Sequence, residues 1–191
     1  MTSDEALMLE FQGGSRAAFE ELFARYRTSL YGFFRRRLNN PGRAEDLTQE
    51  TFLAVIRAVS RYEPRALVRT YLYSIALKLL AAERRKFLTR STSGQSAPDP
   101  KTDGTPECVL WVRQALEKLD APEREILMLR EYEQLSYSDI AELLRIPVNT
   151  VRSRLFRSRL ALKSYLESEA KTNPAPGASA RQPQPGRRGM Q

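Results

Sequence analysis

The chain has no histidine and a single cysteine, Cys108. Those two absences exclude a great deal. Without histidine there is no Ser–His–Asp or Cys–His nucleophile and no Cys/His zinc site, and one thiol cannot close a disulfide within the chain. Cys108 reads as a small hydrophobe and not as a reactive thiol. The glycines form no phosphate-cradling loop, so nucleotide-dependent catalysis has no support. No catalytic residue, metal ligand or cofactor is expected. The opening MTSDEALMLEFQGG has neither a basic n-region nor an apolar h-region. No apolar run approaches the roughly 18 residues of a membrane span. A cytoplasmic location is expected, with no membrane partner.

What is present is positive charge. The 191 residues hold 31 Lys+Arg against 23 Asp+Glu, a formal charge of +8. That balance favours a polyanionic partner, either nucleic acid or an anionic surface. With 41% hydrophobic residues the chain can bury one medium core or two small ones. A domain of about 60 residues buries only roughly 60% of its unfolded surface, so two small domains would each be modestly stable.

Helical periodicity falls into two blocks. In the first, residues 4–90, Phe19, Leu22, Phe23, Tyr26, Leu30, Phe33 and Phe34 recur at spacings of three and four, one wide apolar stripe. Asn39-Asn40-Pro41-Gly42 ends that helix and turns the chain. The next helix starts near Ala44 with Leu47, Phe52, Val55, Ile56 and Val59 on its apolar side. A break at Glu63-Pro64 precedes a third pattern, Leu67 to Leu80. The second block, residues 107–168, opens with Leu110, Val112, Leu116 and Leu119. Asp120 with Glu123, and Ser136 with Asp139, are capping-box patterns that start two further helices. Arg145-Ile146-Pro147 then turns into a last helix, Val148 to about Leu166. Two short helices across such a turn form a helix-turn-helix. Residues 91–106 are small, polar and proline-bearing, a flexible linker. Residues 169–191 form a basic tail in which order is not expected. The expected fold is therefore all-α: two small helical domains on a flexible linker, the C-terminal one a helix-turn-helix.

The last helix is sign-pure. Residues 149–163 carry five positive charges and no acid. Val151, Leu155, Arg159 and Leu162 share one face, whose apolar members can bury against Ile140 and Leu144. Asn149, Arg152, Ser153, Phe156 and Arg157 occupy the other. In a helix-turn-helix this second helix enters the major groove, where arginine reads guanine with two hydrogen bonds and other cations meet phosphates. In the first block Asp46, Gln49, Glu50 and Leu53 follow i, i+3, i+4, i+7 spacing and share a face opposite the apolar one. Such a stripe suits a basic partner helix. Further on, Tyr62, Tyr71 and Tyr73 interleave with Arg61, Arg65, Arg69, Lys78 and Arg84-Arg85-Lys86. Cations of that kind follow a single strand while aromatic groups receive an unstacked base, although each tyrosine serves equally well as core.

The run from Leu135 to Leu144 (LSYSDIAELL), with Ile146 to Arg159 (IPVNTVRSRLFRSR), strongly resembles the C-terminal domain of extracytoplasmic-function (ECF) sigma factors. The segment Arg43–Leu53 (RAEDLTQETFL) independently resembles the same family's polymerase-docking helix, and Val68–Ala76 with Leu79–Lys86 its promoter-melting segment. The resemblance implies a sigma factor that brings core RNA polymerase to promoters. It implies minus-35 contacts from Arg130, Asn149, Thr150, Arg152, Ser153, Arg154, Phe156 and Arg157. Minus-10 contacts would come from Arg69, Tyr71, Tyr73, Lys78, Arg84 and Arg85. Docking on the clamp of the β′ subunit falls to Asp46, Gln49, Glu50, Phe52 and Leu53. An anti-sigma factor is a further implied partner. Four positions depart from the family pattern: Arg145 stands where glycine is usual, Tyr71 for tryptophan, Lys78 for asparagine and Ala82 for aspartate. Three other readings stay open at this point: a helix-turn-helix regulator that never docks on polymerase, an enzyme with a helical accessory domain, and a membrane-surface protein using the basic tail.

Overall fold

The computed structural model describes residues 2–38, 40–64, 66–91 and 107–172. Arg65, the expected linker from residue 92 onward, the Cys108 side chain and the tail beyond residue 172 lie outside the described residues. Among the described residues every regular element is helical. They gather into two compact units. Helices from the first block join residues Met128–Arg152 in one, and the segment ending at Leu127 joins the chain from Ser153 onward in the other.

The first unit begins with α1 (Asp4–Gln12) and α2 (Arg16–Arg35). Ser3 and Ser15 cap them, each hydroxyl accepting an N–H three residues on, which satisfies donors the helix leaves open. Asn40 caps α3 (Pro41–Ala58), whose opening proline lacks only an N–H that had no helical partner. A 3-10 turn, Val59–Arg61, leads towards α4 (Val68–Ser91). The Glu5 carboxylate of α1 accepts the Val68 N–H at 3.3 Å, so α1 caps α4. The α2 stripe faces inward as its spacing predicts: Leu22, Tyr26, Leu30, Phe33 and Phe34 are buried, while Phe19 and Phe23 are half-buried. Phe23 meets Phe52 of α3 with ring centroids 4.7 Å apart. Arg43 bridges α3 to Glu83 of α4 at 2.9 Å. Helix α4 runs eleven residues past the expected Leu80, because Ala81-Ala82-Glu83-Arg84-Arg85-Lys86 are good helix formers with no breaker.

Helix α5 (Glu107–Glu117) and α6 (Ala121–Glu131) precede α7 (Tyr137–Leu144) and α8 (Val148–Thr172). At α7 the capping box is complete: the Ser136 hydroxyl accepts the Asp139 N–H, and the Asp139 carboxylate accepts the Ser136 N–H at 3.0 Å. Within the first unit α7 lies against α4. Helix α8 continues beyond the expected Leu166 to Thr172, just before Asn173-Pro174. In the second unit Ala115, Leu119, Ile126, Leu127 and Leu155 are buried, and the Lys118 ammonium lies 5.4 Å from the Tyr165 ring centre.

Arg145 ends α7 in the left-handed region, φ 54° and ψ 46°. A side chain with a Cβ is strained there, by about 1 kcal/mol, and glycine is not. Arg145→Gly is therefore expected to raise stability by roughly 0.5–1 kcal/mol in a denaturant titration. A drop in the midpoint would mean that the arginine side chain contributes more than its backbone costs.

Candidate nucleic-acid and polymerase interface

Helix α8 turns one face inward and leaves the other to solvent. Val151, Leu155 and Ser158 form the buried stripe, and Arg159, expected on that stripe, is exposed instead. The shift is one residue, and the small Ser158 fits where it can satisfy its hydroxyl on the Leu155 carbonyl at 3.1 Å. Asn149, Arg152, Ser153, Phe156 and Arg157 are all exposed. Phe156 is 70% exposed, too open for a core residue. The Asn149 side-chain oxygen accepts from Arg152 at 3.5 Å. Thr150 and Arg154 are half-buried on the flanks. Arg157 is held by Glu123, whose carboxylate lies 3.3 Å away, beside a groove that Arg154 and Pro122 also line. Arg130 is half-buried, donates to the Leu135 carbonyl at 2.8 Å and lies 5.3 Å from the Tyr137 ring centre.

The α3 face is open. Asp46, Gln49 and Leu53 are exposed and Glu50 half-buried. Arg43 gathers the carboxylates of Asp46 at 3.4 Å and Glu50 at 3.1 Å. Phe52 is the correction: it is buried against Phe19 and Phe23. It holds the face from beneath, because its position on the helix points into the bundle. Ile56 is the converse case. It was expected on the apolar side, yet it is exposed one turn beyond Leu53 and seven residues after Gln49. It extends the exposed stripe by one turn. A groove lined by Phe23, Arg27, Tyr31, Glu45 and Gln49 borders the same stripe.

The α4 residues divide between two faces. Tyr71, Lys78 and Arg85 recur every seven residues on one side; Tyr71 is half-buried, while Lys78, Arg84 and Arg85 are exposed. Arg69 and Tyr73 point the other way. Tyr73 is buried, packs on Phe33 at 5.4 Å and donates to the Glu133 carboxylate at 3.0 Å. Burial, with the Glu133 charge and hydrogen bond beside it, raises the Tyr73 phenol well above its ordinary range, so it stays a donor at any physiological pH. Arg69 donates to the Glu133 backbone carbonyl. Burial also raises the phenols of Tyr62 and Tyr71, whose rings meet edge-on at 5.3 Å. No group of His, Cys, Asp and Glu suited to a metal occurs among the described residues, and none of the described helices is long and apolar enough to cross a membrane.

Cationic and amide groups on the open face of a second helix after a tight turn, with an acidic stripe open on α3, define an all-helical protein with a helix-turn-helix face of the DNA-binding kind. Family models sharpen that class: residues 110–162 match Sigma-70, region 4, and residues 22–87 match Sigma-70 region 2. The ECF RNA polymerase sigma factor SigC of Mycobacterium tuberculosis is 34% identical, across 86% of this chain and 91% of its own length. The RNA polymerase sigma-H factor of Pseudomonas aeruginosa is 31% identical, across 86% and 94%. Among solved structures, CnrH in complex with the cytosolic domain of CnrY shares the fold at a TM-score of 0.68 and 24% identity, covering 88% of this chain and 99% of that one. The chain belongs to the ECF group of RNA polymerase sigma factors. Its activity is promoter-specific initiation of transcription through RNA polymerase.

Proposed function

We propose that this sigma factor works by two-point recruitment, with no bond made or broken by the chain itself. Asp46, Gln49, Glu50 and Leu53, joined by Ile56, dock on a basic helix of the polymerase clamp. Tyr71, Lys78, Arg84 and Arg85 follow the melted minus-10 strand, and Arg130 with the open face of α8 holds the minus-35 duplex. The domains run over residues 4–90 and 107–168, the linker between them making the second contact intramolecular so that each alone can be weak. The protein acts in the cytoplasm, where an anti-sigma factor covers one or both faces. The observation that carries this reading is the exposed Arg152–Phe156–Arg157 face directly after the Ser136-capped α7.

Arg152→Ala tests the base-reading role. Loss of one two-hydrogen-bond arginine is expected to weaken minus-35 recognition by roughly 1–3 kcal/mol and to relax preference at one base pair. Initiation by core polymerase on a promoter library reads both effects. Equal loss on every sequence would assign Arg152 to phosphate instead. A regulator that never docks on polymerase would leave core enzyme without promoter preference in the same assay.

A further inference from the structure

Within the second unit, the start of α6 and the middle of α8 border one groove, with Asp120, Pro122 and Glu123 on one side and Arg154 and Arg157 on the other. Glu123 is the acid of the first turn of α6, a place where unpaired backbone N–H groups favour a carboxylate. Across the groove its Oε1 lies 3.3 Å from Nε of Arg157. The two partners are unequally placed. The Glu123 side chain is 20% exposed and that of Arg157 62%, so the acid belongs to the wall and the guanidinium stands out from it.

An ion pair open to water on one side adds little to stability. What this pair does fix is direction. Contact through Nε takes up the side edge of the guanidinium. The edge that meets O6 and N7 of guanine is the end of the fork, Nη1 and Nη2, a different edge of the same planar group. An unheld arginine must give up its side-chain freedom on binding, which weakens the contact it makes. Glu123 removes part of that freedom before DNA arrives. Its own charge, meanwhile, opposes the phosphates of every sequence alike, so its benefit lies in selectivity and not in general affinity.

We infer that Glu123 is a positioning residue for promoter recognition: from α6 it holds Arg157 of α8 in the orientation that reads one minus-35 base pair, without touching DNA itself. The inference rests on the minus-35 role proposed above for the open face of α8.

Initiation by core polymerase with the full chain, on a library varied at each minus-35 base pair, tests this with Glu123→Gln, Arg157→Ala and the double variant. Glu123→Gln keeps the shape of the side chain and removes its charge. Preference at one base pair should fall roughly three- to tenfold, the effect of freeing one arginine side chain, while output on non-preferred sequences holds or rises. Arg157→Ala should flatten preference at the same base pair by roughly ten- to a hundredfold. In that background Glu123→Gln should change preference no further. Preference kept in Glu123→Gln but lost in Arg157→Ala would overturn the positioning role and leave the base-reading face of α8 standing. So would a loss spread over every base pair, or an equal loss from Glu123→Gln in both backgrounds. Preference kept in Arg157→Ala would remove Arg157 from base reading, and the positioning role with it. A second measurement needs no DNA. Nitrogen relaxation of the Arg157 Nε–H in the free full chain should show an ordered group that becomes mobile in Glu123→Gln; equal mobility in both would overturn the inference.

Discussion

Replacing Asp46 by arginine is expected to weaken binding to core RNA polymerase by roughly 2–4 kcal/mol, on the order of 30- to 1000-fold, because it sets like charge against a basic partner helix. The side chain is 61% exposed, so the fold has little stake in it. Its ionic partner, Arg43, keeps Glu50 and Glu83, and an exposed pair of this kind contributes about 0–1 kcal/mol. The thermal midpoint should therefore barely move while affinity collapses. DNA binding through α8 should not change, because that face carries its own cations. Titration of labelled protein with core enzyme, beside a melting curve, separates the two effects. Unchanged affinity would remove α3 from the docking surface. Ile56→Ala provides a gentler companion: as an exposed apolar residue it should weaken docking without lowering stability.

The largest effect on stability is expected at Phe33. Its ring is fully buried, meets Phe34 at 5.1 Å and Tyr73 at 5.4 Å, and carries the Arg37 guanidinium 3.8 Å above it. Phe33→Ala removes that ring from a site where the neighbours cannot all collapse, at a cost of about 3–5 kcal/mol. A small domain has only roughly 5–15 kcal/mol in total. The loss should also loosen Tyr73 and Arg37, which hold Glu133, so ordering of the Tyr132–Asp139 segment should suffer with the core. Urea titration measures the first, and amide exchange at Leu135 the second. A cost under 1 kcal/mol would mean the cluster repacks around the gap.

Much of this arrangement was legible beforehand, for local reasons. A stripe at spacings of three and four can only mean a helix with one buried face, so α2 followed directly from Leu22, Tyr26, Leu30 and Phe33. Ser136 and Asp139 announce a helix start because capping chemistry acts over three residues. Arg145 stands where the resembled family usually has glycine, a residue suited to the left-handed conformation that ends α7. The acidic stripe of α3 was visible for the same reason. Phe52 was misplaced among its contacts, since resemblance selects a segment while the helix turn decides which of its residues faces out. The exposure of Ile56 was missed because an apolar residue is assigned inward by default, although much of any protein surface is apolar.

The amino-acid sequence on its own determined the apolar stripes, the Ser136 capping box, the helix-turn-helix and the sign of charge on each face, because all of these act within one or two turns of chain. Tertiary structure alone decided that Tyr73 is buried while Tyr71 is only half so, and that Glu133 takes Arg36 and Arg37, 97 and 96 residues away. Periodicity says which side of a helix is turned inward but not which other helix waits there. A carboxylate has no preferred cation in the sequence; it pairs with whichever one the folded chain brings within about 3 Å.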